Sequence, residues 1–129
     1  MSANMAKIYV DMLRAMDNEL ERISAQHPPY HSRHEGIGVL AEEYEEVKRA
    51  FDELTENMKF LWRAITWDAS DKTYLNDLNN VKVGAIKTAS ECIQVMAVAE
   101  RMEDVVNGQG KFTPRFVSRT ESDIREEEF

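Results

Sequence analysis

Apolar residues fall at steps of three and four along three stretches of the chain, and each stretch predicts an amphipathic helix. In the first, Met5, Ile8, Met12, Met16, Leu20 and Ile23 share one face. Pro28 and Pro29 remove two backbone donors and fix φ, so this helix stops before them and residues 27–31 form a connection. Ser32 followed by Glu35 has the form of a capping box and predicts the start of a second helix. Within it Ile37, Leu40, Tyr44, Val47, Phe51, Leu54, Met58, Leu61 and Ile65 alternate steps of three and four, the seam of tightly packed, slightly supercoiled helices, and run for roughly 40 Å. Trp67-Asp68-Ala69-Ser70-Asp71 breaks the pattern and offers several N-cap residues, so the chain is expected to reverse there. Leu78, Val81, Ala85, Ala89, Cys92, Met96, Ala99 and Val106 mark the face of a third helix, ended by a left-handed cap at Asn107-Gly108. Its small residues, with Gly84 in the interior, predict the close approach of another helix.

The expected fold is therefore all-α, an antiparallel helical bundle built on a long helical hairpin and completed by oligomerisation. One all-α domain is expected over residues 1–107. An extended or mobile tail is expected over 108–129, where helical periodicity is lost and Phe112, Phe116 and Val117 are mixed with basic residues. Five glycines and three prolines in 129 residues argue against a loop-rich or all-β chain. The formal charge of −8 disfavours binding to a nucleic-acid backbone, which needs clustered cations. A lone cysteine, Cys92, excludes an internal disulfide and a thiolate zinc site, and reads as a small seam residue. With no apolar run long enough to span a bilayer and none resembling a signal peptide, the expectation is a cytoplasmic protein with no membrane partner.

The candidate chemistry is acidic. Glu42, Glu43 and Glu46 occupy consecutive turns of the second helix, and Glu91 lies on the third with Gln94 one turn beyond. Glu43–Glu46 and Glu91–Gln94 are equidistant from the break over 67–71, so an antiparallel hairpin brings them level. Each of the three carboxylates at 43, 46 and 91 immediately precedes a seam residue, which directs it to the border of the packed face. Carboxylates gathered without a counter-ion repel one another, and a hard divalent cation resolves the conflict by taking oxygen ligands. Mg²⁺ suits such a set, because it keeps several waters and shares its sphere with substrate phosphates. The bland alternative is that a Glu-rich helix in a chain that is 31% charged presents a solvated face.

The string His34-Glu35-Gly36-Ile37-Gly38-Val39-Leu40-Ala41-Glu42-Glu43-Tyr44-Glu45-Glu46-Val47 resembles the first metal-binding helix of the MazG-like (all-α) nucleoside triphosphate pyrophosphohydrolases, whose signature is Glu-Glu-x-x-Glu. The string from Glu91 to Asp104 resembles the second motif helix, as in small phage and bacterial members. The resemblance implies a hydrolase that splits nucleoside triphosphates between the α and β phosphates, releasing a (deoxy)nucleoside monophosphate and pyrophosphate. It implies Mg²⁺, with Mn²⁺ as substitute, held by Glu43, Glu46, Glu91 and position 94. Glu42, Glu43 and Glu46 become the catalytic carboxylates, Glu42 serving as a further ligand or as the acceptor that orients water. The sequence departs from the pattern at Gln94, where active members carry Asp, and in the long gap between the motifs. Two alternatives stand beside the enzyme: a catalytically silent relative that binds nucleotide or protein, and a helical interaction protein with no ligand.

Other residues carry weaker signals. His27, His31 and His34 fit no zinc or di-iron spacing and read as surface or capping residues. Trp62 and Trp67 have faces suited to a nucleobase but are expected to pack at the end of the hairpin. Lys48, Lys87 and Arg101 are candidate phosphate partners, with solvation as their ordinary fate.

Overall fold

Three cap structures delimit the helices of the computed structural model, which describes residues 2–108. Ser2 accepts from the Met5 N–H and opens α1 (Ala3–Gln26). Ser32 accepts from the Glu35 N–H at 3.1 Å, while the Glu35 carboxylate reaches back to the His31 N–H at 2.9 Å. This reciprocal pair opens α2 (Arg33–Thr66) as a capping box displaced by one residue. Ser70 accepts from the Thr73 N–H and opens α3 (Asp71–Val106). The described residues are thus all-α, with no strand among them. At Asn107 and Gly108, the latter with φ of 72°, α3 ends in a left-handed turn, as the sequence predicts. The rest of the predicted tail, residues 109–129, lies outside the described residues.

The reversal between α2 and α3 is a Schellman turn. Ala69 donates to the Ala64 carbonyl at 2.9 Å, Asp68 to that of Ile65 at 3.3 Å, and Asp68 takes φ of 49° in the left-handed region. An aspartate tolerates that conformation better than a branched residue.

The chain divides into two compact units. The first holds α1, the connection to α2, α2 as far as Leu40 and α3 from Ile93. Its core is Val10, Leu13, Met16 and Leu20 of α1 packed on Ala97 of α3, with Tyr9, Ile23 and Met96 against them. The predicted face of α1 is therefore rotated: Met16 and Leu20 are buried, whereas Met5 and Ile8 are exposed and Ala6, Val10 and Leu13 take the inner positions. Arg101 ties the connection to α3, donating to the Pro28 carbonyl at 2.6 Å and lying over the buried Tyr30 ring at 4.3 Å.

The second unit is the hairpin of Ala41–Cys92. Its buried positions are small: Ala50 and Ala64 on α2 and Gly84 on α3. A β-carbon on Gly84 would stand 3.1 Å from Asn57 Nδ2 and 3.3 Å from Leu54 Cδ1, so the missing side chain is what permits the close approach the sequence predicts. Asn57 uses that proximity to donate to the Asn80 carbonyl at 3.2 Å. Of the predicted α2 seam, Val47, Leu54 and Leu61 are half-buried, but Tyr44, Phe51, Met58 and Ile65 are exposed. On α3 the expected face is corrected in the same sense, since Ala85 and Ala89 are exposed while Gly84 and Thr88 turn inward. Small residues let two helices approach each other, and the larger apolar side chains are left beside the contact rather than in it.

Gly84→Val should destabilise the protein by about 1–3 kcal/mol, the usual range for overpacking, because its methyls meet Leu54 and displace the Asn57 amide. Chemical denaturation followed by circular dichroism reads this directly. An unchanged midpoint would show that the arms part without penalty.

A candidate acidic centre

Glu43 and Glu46 stand one turn apart on α2, and Glu91 projects from α3 in the second unit. One carboxylate oxygen from each lies within 4.8 Å of the other two. Glu43 and Glu91 are half-buried and Glu46 is exposed. The levels predicted from the equidistant spacing about the turn are therefore met by these three side chains. Glu42, also exposed, stands outside the trio.

The trio is electrostatically unbalanced. Burial pushes the Glu91 carboxyl above the ordinary glutamate value of 4.5, and Glu46 pushes it further through a hydrogen bond and like-charge repulsion. Lys87 and Arg49 draw it back down. Lys87 is held nearby by a 2.8 Å ion pair with Glu53 of α2. The centre thus combines three converging carboxylates with two cations close enough to be felt.

Position 94 has a different environment. The Gln94 side chain hydrogen-bonds Glu19 of α1, whose carboxyl is held below its ordinary range first by Arg22 and then by this amide. Lys48 pairs with Glu45 at 3.6 Å and lies 5.8 Å from the centroid of the Tyr44 ring. His27, His31 and His34 are exposed, as expected of surface residues. Trp62 and Trp67 depart from the expectation of hairpin-end packing, being 72% and 74% exposed.

Two features escaped the sequence reading. In the first unit an open groove of about 530 Å³ is lined by Ile37, Leu40, Ala99, Met102 and Val106, with Arg33, His34 and Glu103 at its sides. Ile37, Leu40, Ala99 and Val106 belong to the predicted seams, and periodicity alone cannot separate a filled seam from an open one. Asp17, Glu100 and Asp104 are buried in the same unit, and each is engaged by an interaction partner. Only their helical positions signalled this, between apolar neighbours on inward faces.

Comparison with protein-family models, with curated proteins and with solved structures finds no match to this chain.

The raised Glu91 value has a definite sign. Between 4.5 and the raised value the folded state binds more protons than the unfolded chain, so stability is greatest below that window and falls as pH rises through it. Thermal midpoints measured from pH 4 to 7 without divalent cations should carry this downward contribution, and Glu46→Gln should reduce it. Identical profiles for the two proteins would count against repulsion within the trio.

Proposed function

We propose that this chain is a Mg²⁺-dependent nucleoside triphosphate pyrophosphohydrolase of the MazG-like class, releasing a (deoxy)nucleoside monophosphate and pyrophosphate. The observation that supports the reading is the convergence of Glu43, Glu46 and Glu91 from two helices, at the positions where the resemblance expects metal ligands. The donor set suits the ion. Oxygen ligands at about 2.1 Å from Mg²⁺ sit roughly 3 Å apart when adjacent and roughly 4 Å apart when opposed, so oxygens within 4.8 Å of one another need only a small approach.

In this reading Glu43, Glu46 and Glu91 would hold the cation, which when bound would neutralise phosphate charge and make water more acidic. Glu42 accepts a hydrogen bond from the attacking water and orients it. Lys87 and Arg49 add positive potential on the side of Glu91 and favour an anionic substrate. The protein works in a homo-oligomer, a dimer or tetramer, because the hairpin keeps large apolar side chains outside.

Gln94 favours a second reading. A neutral amide engaged by Glu19 is a weaker ligand than the Asp of active members, which suits a silent relative that binds nucleotide without turnover.

Pyrophosphate release from ribo- and deoxyribonucleoside triphosphates with Mg²⁺ or Mn²⁺ tests the enzyme. Glu43→Ala and Glu46→Ala should each lower the rate by about 100-fold or more, the scale on which a group stabilising developing charge is missed. No release from any substrate, together with Ca²⁺- and nucleotide-dependent thermal stabilisation, would select the silent binder. No response to cation at all would sink both readings and leave the trio as a solvated acidic face.

A further inference from the structure

The second unit leaves more large apolar side chains outside than it holds inside. Tyr44, Phe51, Met58 and Ile65 stand seven residues apart on α2 and are 55%, 57%, 50% and 54% exposed. Seven residues make nearly two helical turns, so the four form one row. The Glu53–Lys87 ion pair marks one edge of the hairpin. Residues two apart on a helix differ by about 200°, so Phe51 and Ala85, each two positions before a member of that pair, lie toward the opposite edge. Ala85 belongs to a seven-residue row of its own, between Leu78 and Cys92. One broad face of the hairpin therefore carries a ridge of large side chains on α2 beside a shallower row on α3.

We propose that this face is an interface between two copies of the chain, with α2 of one copy lying against α3 of the other. The proposal identifies the surface of the oligomer included in the functional reading, and it makes no use of that reading's metal chemistry. Register supports a second copy as the occupant. Asn57 is level with Asn80, and that register sets Phe51 level with Ala85, Tyr44 with Cys92 and Met58 with Leu78, each within about a residue. A two-fold axis parallel to the helices preserves those levels and exchanges the arms, so each ridge meets the other copy's shallower row. The face is self-complementary in side-chain size as well as in length.

Area supports it too. The ridge from Tyr44 to Ile65 runs about 32 Å at 1.5 Å per residue, and two packed helices present a width of about 20 Å. That is roughly 600 Å² in plan and more when corrugated, close to the approximately 800 Å² per partner of a stable interface. The need is also evident, since Ala50 and Ala64 are the only buried apolar side chains this unit has among the described residues, and a core that small requires a partner.

Sedimentation equilibrium of the full chain tests the proposal. The wild type should have the mass of a dimer or a multiple of it, and Phe51→Glu with Met58→Glu should lower that mass two-fold or more while the helical circular dichroism is retained. Val83→Glu, an exposed position one turn before Lys87 on the other edge, should leave the mass unchanged. Ala85→Phe should dissociate the dimer by filling the shallow row, and Phe51→Ala in the same chain should restore it. A monomeric wild type, or a dimer indifferent to Phe51→Glu with Met58→Glu, overturns the proposal. Failure of the Phe51→Ala rescue overturns the α2-against-α3 arrangement. Calcium-dependent stabilisation and pyrophosphate release are read separately, so the metal reading can fail while the dimer stands.

Discussion

The absent side chain at Gly84 and the left-handed turn at Asp68 together fix the register of the hairpin, and the acidic centre depends on that register. The turn determines which residues lie level across the two arms, and the glycine determines how near they come. Glu43 and Glu46 can meet Glu91 only because α2 and α3 run close at a register that pairs Asn57 with Asn80 and Glu53 with Lys87. A longer connection or a bulkier contact would leave the same glutamates as separate charges on separate helices. Packing in this unit is thus geometry supplied by small residues, and the polar contacts use the room that geometry leaves.

That arrangement carries an electrostatic conflict within it. Like charges converge on a half-buried site, and the Glu91 carboxyl is pushed upward by burial and by Glu46. Lys87 and Arg49 relieve the conflict only in part. In the proposed reading a divalent cation would relieve this repulsion by taking the oxygen ligands that the three side chains bring together. The proposed chemistry and the structural tension are two descriptions of the same three side chains.

Much of this was legible in the chain. Helix ends were marked by Ser32 with Glu35, by the break over 67–71 and by Asn107-Gly108, because caps satisfy specific backbone groups with specific residue types. The meeting of Glu43, Glu46 and Glu91 followed from equal distances to the turn. The packed faces were less legible. Periodicity finds apolar stripes but not which of two adjacent stripes a partner covers, so Met5, Ile8 and Phe51 were read as inward while Ala6, Leu13 and Ala50 took those places. Small residues carry little hydrophobic signal, yet they set the distance between helices. The open groove beside Ile37 and Met102 was hidden for a related reason: no pattern in one helix reports whether the facing surface is filled.

The Arg101 clamp has a consequence for how the chain reaches this structure. Its contact with Pro28 joins residues 73 apart in sequence, whereas Asn57 meets Asn80 across only 23. Closing the longer loop carries the greater entropic penalty, so the hairpin arms are suited to find each other first. The path of residues 27–31 is held by a side chain from the far end of α3. Loop length thereby ranks the two contacts: the hairpin turn closes at the smaller entropic penalty, and the guanidinium that stacks on Tyr30 latches the larger loop.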